Sequence, residues 1–281
     1  MSKEKILKLI PMTFLVIMCL ILAAVIIGMN SGEDEIPAMA EPSESEAEDT
    51  EKSLENENAD TEAPEETELE ETEPPVPVVV ASEGLEFKSL GNGTCYVSGI
   101  GSCRDSFIIL PKTSHYGEEV VGIGDYAFKN CKFIKCVEIS ENLRFIGAYA
   151  FYGTGIVNAY IPPETEQIGD YAFCNCSELE NITVDSFNTV YSDIDGILCD
   201  KSMKKIICYP QGKNENTLYV PSDIEEIKTM AFYNCDAIKV INYNGSASSF
   251  RRIKVGAGNE NFENAVVTYV TGNNVKNNLE K

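Results

Sequence analysis

Apolar positions recur between residues 120 and 245 in a fixed order. An Ile-Gly-x-Tyr-Ala-Phe run comes first, at Ile123–Phe128, Ile146–Phe151 and Ile168–Phe173, with a looser copy at Ile227–Phe232. An apolar anchor and two apolar residues spaced two apart follow each run: Ile134, Val137, Ile139; Ile156, Ala159, Ile161; Leu179, Ile182, Val184; Ile238, Ile241, Tyr243. A spacing of two is one face of a β-strand, so each unit predicts one short strand. The "GDY" and "GAY" residues between successive strands predict a short helical turn on the opposite, convex side. Leu218–Ile227, "LYVPSDIEEI", repeats the pattern of Ala159–Ile168, "AYIPPETEQI". The inward strand positions Val137, Ala159, Ile182, Leu218 and Ile241 are thus 22, 23, 36 and 23 residues apart. The long interval holds Tyr191–Lys213, which reads as a β-hairpin with "GILC" and "KIICY" as strands and Lys201–Met203 near the turn.

A coil of 22–23 residues cannot close a core alone; its apolar side chains are buried only when the next coil stacks on it. Ala127, Ala150, Ala172 and Ala231 are small where the coil turns tightly, and Phe128, Phe151, Phe173 and Phe232 are expected to stack as an internal column. The combined signature "IGDYAFxNCxxLxxIxI" resembles the BspA-like leucine-rich-repeat family of bacterial cell-surface proteins. The resemblance extends over about residues 85–270: Leu85–Pro111 is similar to the β-rich segment that precedes such arrays, and Ile241–Val270 to the segment that closes them. It implies an α/β fold, a right-handed leucine-rich-repeat solenoid with short concave strands and helical turns outside. It also implies surface proteins that bind host or neighbouring macromolecules, and it carries no common catalytic residues.

Charge divides the rest of the chain. The net charge of −23 is concentrated in residues 31–78, where nineteen acidic residues face the single Lys52. That segment has six prolines and no aromatic residue, so it cannot bury enough apolar surface to offset its ordering entropy. Before it, Leu9–Met29 runs 21 residues without a charge, long enough to span the roughly 30 Å of a bilayer core. Lys3, Lys5 and Lys8 place the N-terminus in the cytoplasm. The expected organisation is a cytoplasmic tip and transmembrane anchor at 1–30 and an acidic disordered linker at 31–78. A β-rich cap at 79–119, a solenoid at 120–270 with its insertion at 191–213, and a disordered tail at 271–281 follow. This organisation implies a single-pass plasma-membrane protein with its repeats outside. No basic stretch could neutralise phosphates, which argues against nucleic acid as a partner.

Catalytic and cofactor chemistry finds little support. Gly122–Ala127, "GIGDYA", matches a dinucleotide-binding fingerprint, but the repeat spacing leaves no room for the helix that fingerprint opens. His115 is the only histidine, and no nucleophile or metalloprotease motif surrounds it. Asp193–Gly196, "DIDG", lacks the further oxygen ligands of a calcium loop and reads as a turn. Cys131, Cys176 and Cys235 recur in register and read as buried fillers, and Cys95 with Cys103 is the most plausible disulfide. No cofactor or metal is expected. The residue between the two inward positions of each strand points outward, which makes Glu138, Tyr160, Thr183, Tyr219 and Asn242 a candidate binding row for an extracellular protein or glycan. The inserted hairpin, with Lys201, Lys204 and Lys205, is a second candidate. A surface hydrolase or envelope-remodelling enzyme scaffolded by the repeats, or a purely structural envelope protein, is the alternative.

Overall fold

The computed structural model describes residues 80–270. The apolar run 9–29, the acidic segment 31–78 and the tail 271–281 lie outside the described residues. Among the described residues no helix is long and apolar enough to cross a membrane.

The strands stack in two columns, one on each side of the coils. The first column holds β3 (Phe107–Ile109), β5 (Cys136–Glu138), β7 (Asn158–Ile161), β9 (Asn181–Val184), β13 (Thr217–Val220), β15 (Val240–Tyr243) and β17 (Val266–Tyr269). These pair in parallel as β3–β5, β7–β9 and β13–β15–β17. The second column starts with β1 (Glu86–Ser89), β2 (Thr94–Gly99), β4 (Glu119–Ile123), β6 (Phe145–Ile146) and β8 (Gln167–Ile168), hydrogen-bonded in that order. It resumes with β10 (Tyr191–Ile194), β11 (Ile197–Asp200), β12 (Lys205–Cys208), β14 (Glu226–Ile227) and β16 (Lys254–Val255). Parallel stacking already begins at β2 and β3, inside the segment expected to be a separate cap; only β1 runs antiparallel there.

The convex helical turns do not form. Among the described residues helix is confined to α1 (Ala247–Phe250) and α2 (Glu260–Glu263), four residues each near the C-terminal end. The reason lies in the backbone. Tyr126, Tyr149, Tyr171 and Met230 take φ of 61°, 55°, 59° and 57°, the left-handed region that no right-handed helix tolerates. Alternate amides then divide their bonds. Tyr126, Phe128 and Asn130 donate to Ala148, Ala150 and Tyr152 of the next coil at 2.9, 2.9 and 2.7 Å. Lys129 and Cys131 donate three residues back, to Tyr126 and Phe128, both at 3.0 Å. A helix would satisfy every donor locally; this turn spends half of them on its neighbour, so stacking and turn formation are one event.

The phenylalanine column is present. Ring centroids lie 5.4 Å apart between Phe128 and Phe151 and 5.3 Å between Phe151 and Phe173. Beyond the insertion a second stretch stacks in the other core cluster, with Tyr209 5.2 Å and Phe262 5.1 Å from Phe232. Tyr209 fills the phenylalanine place because its N–H donates to Ala231 as Phe151 N–H donates to Ala172. Beside the column, Asn130, Gly153, Asn175 and Asn234 share a left-handed turn position with φ of 62°, 70°, 59° and 55°. The glycine in the second copy has a specific cause: a Cβ there would sit 2.6 Å from Asn130 Oδ1. The next position carries Cys131, Thr154, Cys176 and Cys235. Thr154 stands between the first two cysteines, its Oγ1 3.3 Å from Cys176 Sγ. Cys95 and Cys103, the pair that made the best disulfide candidate, are free thiols, and both side chains are buried in the apolar core.

The insertion is part of the core rather than a loop laid over it. β10, β11 and β12 form an antiparallel meander whose last strand pairs in parallel with β14. Its first turn is the two-residue Asp195-Gly196, with φ of 51° and 75°, matching the twist of a hairpin. On β11, Leu198 packs into the core of the preceding coils, while Ile197 and Cys199 pack into that of the following coils. The strand is buried on both faces and divides the hydrophobic interior in two.

Candidate functional site

The five residues of the expected binding row are brought together only in part. Tyr160 lies opposite Thr183, and Tyr219 opposite Asn242. Glu138 pairs with Ile109. Between Thr183 and Tyr219 the row is interrupted, because β9 meets the insertion instead of β13: Ile182 N–H donates to Gly196 C=O at 3.0 Å. Tyr160 is half-buried and its hydroxyl donates to Asp185 Oδ2 at 2.8 Å. Burial first, and that carboxylate second, hold its phenol well above the usual range. Tyr219 is 67% exposed and is the accessible aromatic of the row. Asn242 accepts from Thr268 Oγ1, which extends the row by one strand.

The hairpin lysines are partly neutralised. Lys204 Nζ lies 2.6 Å from Glu225 Oε1 and Lys205 Nζ 3.2 Å from Glu226 Oε2. Lys204 and Glu225 sit at the mouth of a cleft of about 430 Å³ that also involves Ser202, Asp223, Ser249 and Arg252. Its charges balance, and it has no buried acid–base pair that would mark a reaction centre.

A third surface, which the sequence reading did not single out, is the most distinctive. The tyrosine that closes the Ile-Gly-x-Tyr motif is thrown outward by its left-handed backbone, so Tyr126, Tyr149 and Tyr171 form a ladder along the turn edge. Tyr126 and Tyr149 stack at 5.2 Å with an interplanar angle of 9°, and Tyr149 and Tyr171 lie 5.0 Å apart. Tyr152 packs on Tyr149 at 5.5 Å. Lys129 Nζ is poised over three rings, at 4.9 Å from Tyr126, 5.2 Å from Tyr149 and 5.6 Å from Tyr152. Desolvation within the cluster, then the neighbouring phenols Tyr171 and Tyr126, push the Tyr149 hydroxyl above its ordinary value. Lys129 Nζ is thus held over the face of the ladder. A clue lay in the motif: a tyrosine repeating at a fixed place beside a buried Ala-Phe pair must face out.

The other candidate chemistries find ordinary structural places. Gly122 ends on no helix; a Cβ there would lie 2.2 Å from the Phe145 ring, so the glycine makes room for an aromatic and not for a phosphate. His115 is exposed, edge-on to Phe87 at 5.8 Å. Asp193 Oδ1 accepts from Val184 N–H at 2.9 Å and ties the insertion to β9. Among the described residues no group of three or more His, Cys, Asp or Glu side chains is placed to hold a metal ion.

Parallel short strands, an internal aromatic column and a coil of 22–23 residues define a leucine-rich-repeat-like β-solenoid with little helix. The family model for the BspA type leucine rich repeat region matches six copies over residues 108–209 and 203–271, and the chain belongs to that family. A comparison with curated proteins finds no match. Among solved structures, the pneumococcal vaccine antigen PcpA is 23% identical with a TM-score of 0.45, over 50% of this chain and 34% of that one. The chain thus spans about a third of PcpA's length. A leucine-rich cell-surface protein of Faecalibacterium prausnitzii is 17% identical with a TM-score of 0.38, covering 65% of this chain and 73% of that one. A leucine-rich-repeat protein of T. pallidum is 16% identical with a TM-score of 0.42, covering 68% and 84%.

Proposed function

We propose that this chain is a membrane-tethered, extracellular repeat protein that binds a protein or glycan and does not catalyse a reaction. The anchor is the apolar run at 9–29, and the acidic segment 31–78 is the spacer that carries the repeats away from the bilayer. The observation that carries the binding role is the turn-edge cluster of Tyr126, Tyr149, Tyr152 and Tyr171 with Lys129 held over it. Tyrosines offer large amphipathic contact area at low entropic cost, and binding energy at interfaces concentrates on such residues. The surface-protein character of its family supports the location.

The test is binding of full-length protein on intact cells to immobilised mucin, matrix proteins and a glycan array. Tyr149→Ala removes the centre of the ladder and is expected to weaken binding by about thirty-fold, equivalent to a hot-spot loss of about 2 kcal/mol. Tyr219→Ala probes the long-strand face in the same assay. A loss confined to Tyr219→Ala moves the site to that face. Unchanged binding in both variants, with the bound partner still retained, overturns the proposal that the repeats carry recognition.

A further inference from the structure

The two ends of the long-strand column are finished differently. At the first end, the incoming chain covers β3: Ser82 N–H donates to Ile109 C=O at 2.9 Å, and Ile109 N–H donates to Ser82 Oγ at 3.1 Å. Nearby β1, the edge of the other column, carries Glu86 and Lys88 and a register irregularity, the usual devices that discourage further pairing. At the last end, β17 has only β15 as a neighbour. Val266 N–H donates to Lys239 C=O and Val270 N–H to Tyr243 C=O, both at 2.9 Å, so the even-numbered residues face β15. The N–H and C=O groups of Val267 and Tyr269 point away from it, and no described strand meets them. Residues 265–270, "AVVTYV", contain neither charge nor proline. Val266 is 65% exposed and Tyr269 43%. The hydrophobic interior itself is closed at this end by Phe250 and Phe262, 5.9 Å apart, so what remains open is a strand edge and not a core.

We propose that β17 pairs antiparallel with β17 of a second copy of this chain, about a two-fold axis through Thr268. The register follows from the backbone. Two outward-facing residues flank Thr268, and a two-fold axis there sets Val267 of each copy opposite Tyr269 of the other. Opposed outward residues in an antiparallel pair exchange both N–H···O=C bonds, so this register satisfies all four free donors and all four free acceptors of the two strands. It also sets a β-branched side chain against an aromatic one twice, a favourable cross-strand pairing. Thr268 meets its own mate as a non-hydrogen-bonded pair on the exposed face. A foreign strand could use the same edge, but the self-pairing match at Thr268 is specific to a second copy.

The register makes the test sharp. Opposed Cα atoms in a non-hydrogen-bonded pair are about 4.5 Å apart, within the about 4.4–6.8 Å a disulfide spans. Full-length protein in detergent, oxidised with copper–phenanthroline, is run on non-reducing gels with wild type as the baseline for the native thiols. Thr268→Cys is expected to cross-link as a dimer. Val266→Cys, which faces Val270 of the second copy, is expected to stay at the wild-type level. Val267→Pro deletes an N–H that has no partner among the described residues, so it leaves the described bonds of the fold intact and removes two of the four bonds between copies. In analytical ultracentrifugation it is expected to weaken dimerisation at least ten-fold, with an unchanged circular dichroism spectrum. A Thr268→Cys protein that stays monomeric, equal cross-linking of Val266→Cys, or a Val267→Pro protein that dimerises like wild type each overturns the proposal. So does a monomeric full chain whose Val267 and Tyr269 amides are protected from hydrogen exchange, since another segment of the same chain then holds the edge.

Discussion

Phe151→Ala tests the physical basis of the solenoid most directly. Phe151 is 1% exposed and lies between Phe128 at 5.4 Å and Phe173 at 5.3 Å, so both ring faces are occupied. Truncating a buried phenylalanine costs about 3–5 kcal/mol in transfer and cavity terms, and the two stacked pairs place this site at the upper end. Stabilities of single domains are about 5–15 kcal/mol, so one substitution removes a large fraction of the whole. The chain has no tryptophan and 13 tyrosines, so urea unfolding is followed by tyrosine fluorescence and far-ultraviolet circular dichroism. Tyr219→Ala, at an exposed site, is the control and is expected to shift stability by at most about 0.5 kcal/mol. The one-dimensional character of stacked coils adds a second requirement. Phe128→Ala and Phe151→Ala touch the same interface and are expected to be non-additive. Phe128→Ala and Phe232→Ala lie in separate core clusters and are expected to add within about 0.5 kcal/mol. A Phe151→Ala cost below about 1 kcal/mol, far under the range for buried aromatics, would refute the claim that the aromatic column holds neighbouring coils together.

Three further outcomes follow from particular contacts. Asn188→Ala is expected to cost about 3 kcal/mol in chemical denaturation, the upper range for stranding buried polar groups: the buried Asn188 amide donates to Pro162 and Thr165 carbonyls and accepts from Val190 and Tyr191 N–H groups. Gly153→Ala is expected to lower stability by about 1–2 kcal/mol through its left-handed backbone, more if the contact with Asn130 cannot relax, as read from the thermal midpoint. Burial pushes the thiols of Cys174, Cys199 and Cys235 from 9.0 up to about 12, so above about pH 9 the unfolded chain loses these protons before the folded one does. Stability is then full below pH 9 and falls as pH rises toward 12, by about 1.4 kcal/mol per unit for each thiol. A urea midpoint that does not move between pH 8 and pH 10.5, or a drop that Cys199→Ala leaves unchanged, removes the thiols from that account.

The repeat unit was legible in the chain because its period reports which residues share a face within one coil. The alternation at Val137–Ile139 and Ile182–Val184 named the strands, and the recurrent Ala-Phe pair named the column. Those properties depend on local geometry and on a burial requirement that every copy repeats. Other features depended on how one coil meets the next. The motif's middle residues were expected to be helical, yet backbone donors at Tyr126 and Phe128 gain more from the neighbouring coil than from their own turn. That choice turns the tyrosines outward and builds the ladder under Lys129. Tyr209 entered the aromatic column although no motif surrounds it, because the insertion delivers it to the phenylalanine position. The same insertion broke the expected binding row between Thr183 and Tyr219 by placing a doubly buried strand between two cores. The sequence by itself determined that coils of this length must stack and which side chains they bury. Only the tertiary structure decided the register between coils, and with it which tyrosines remain on the surface and which strand edge has no neighbour among the described residues.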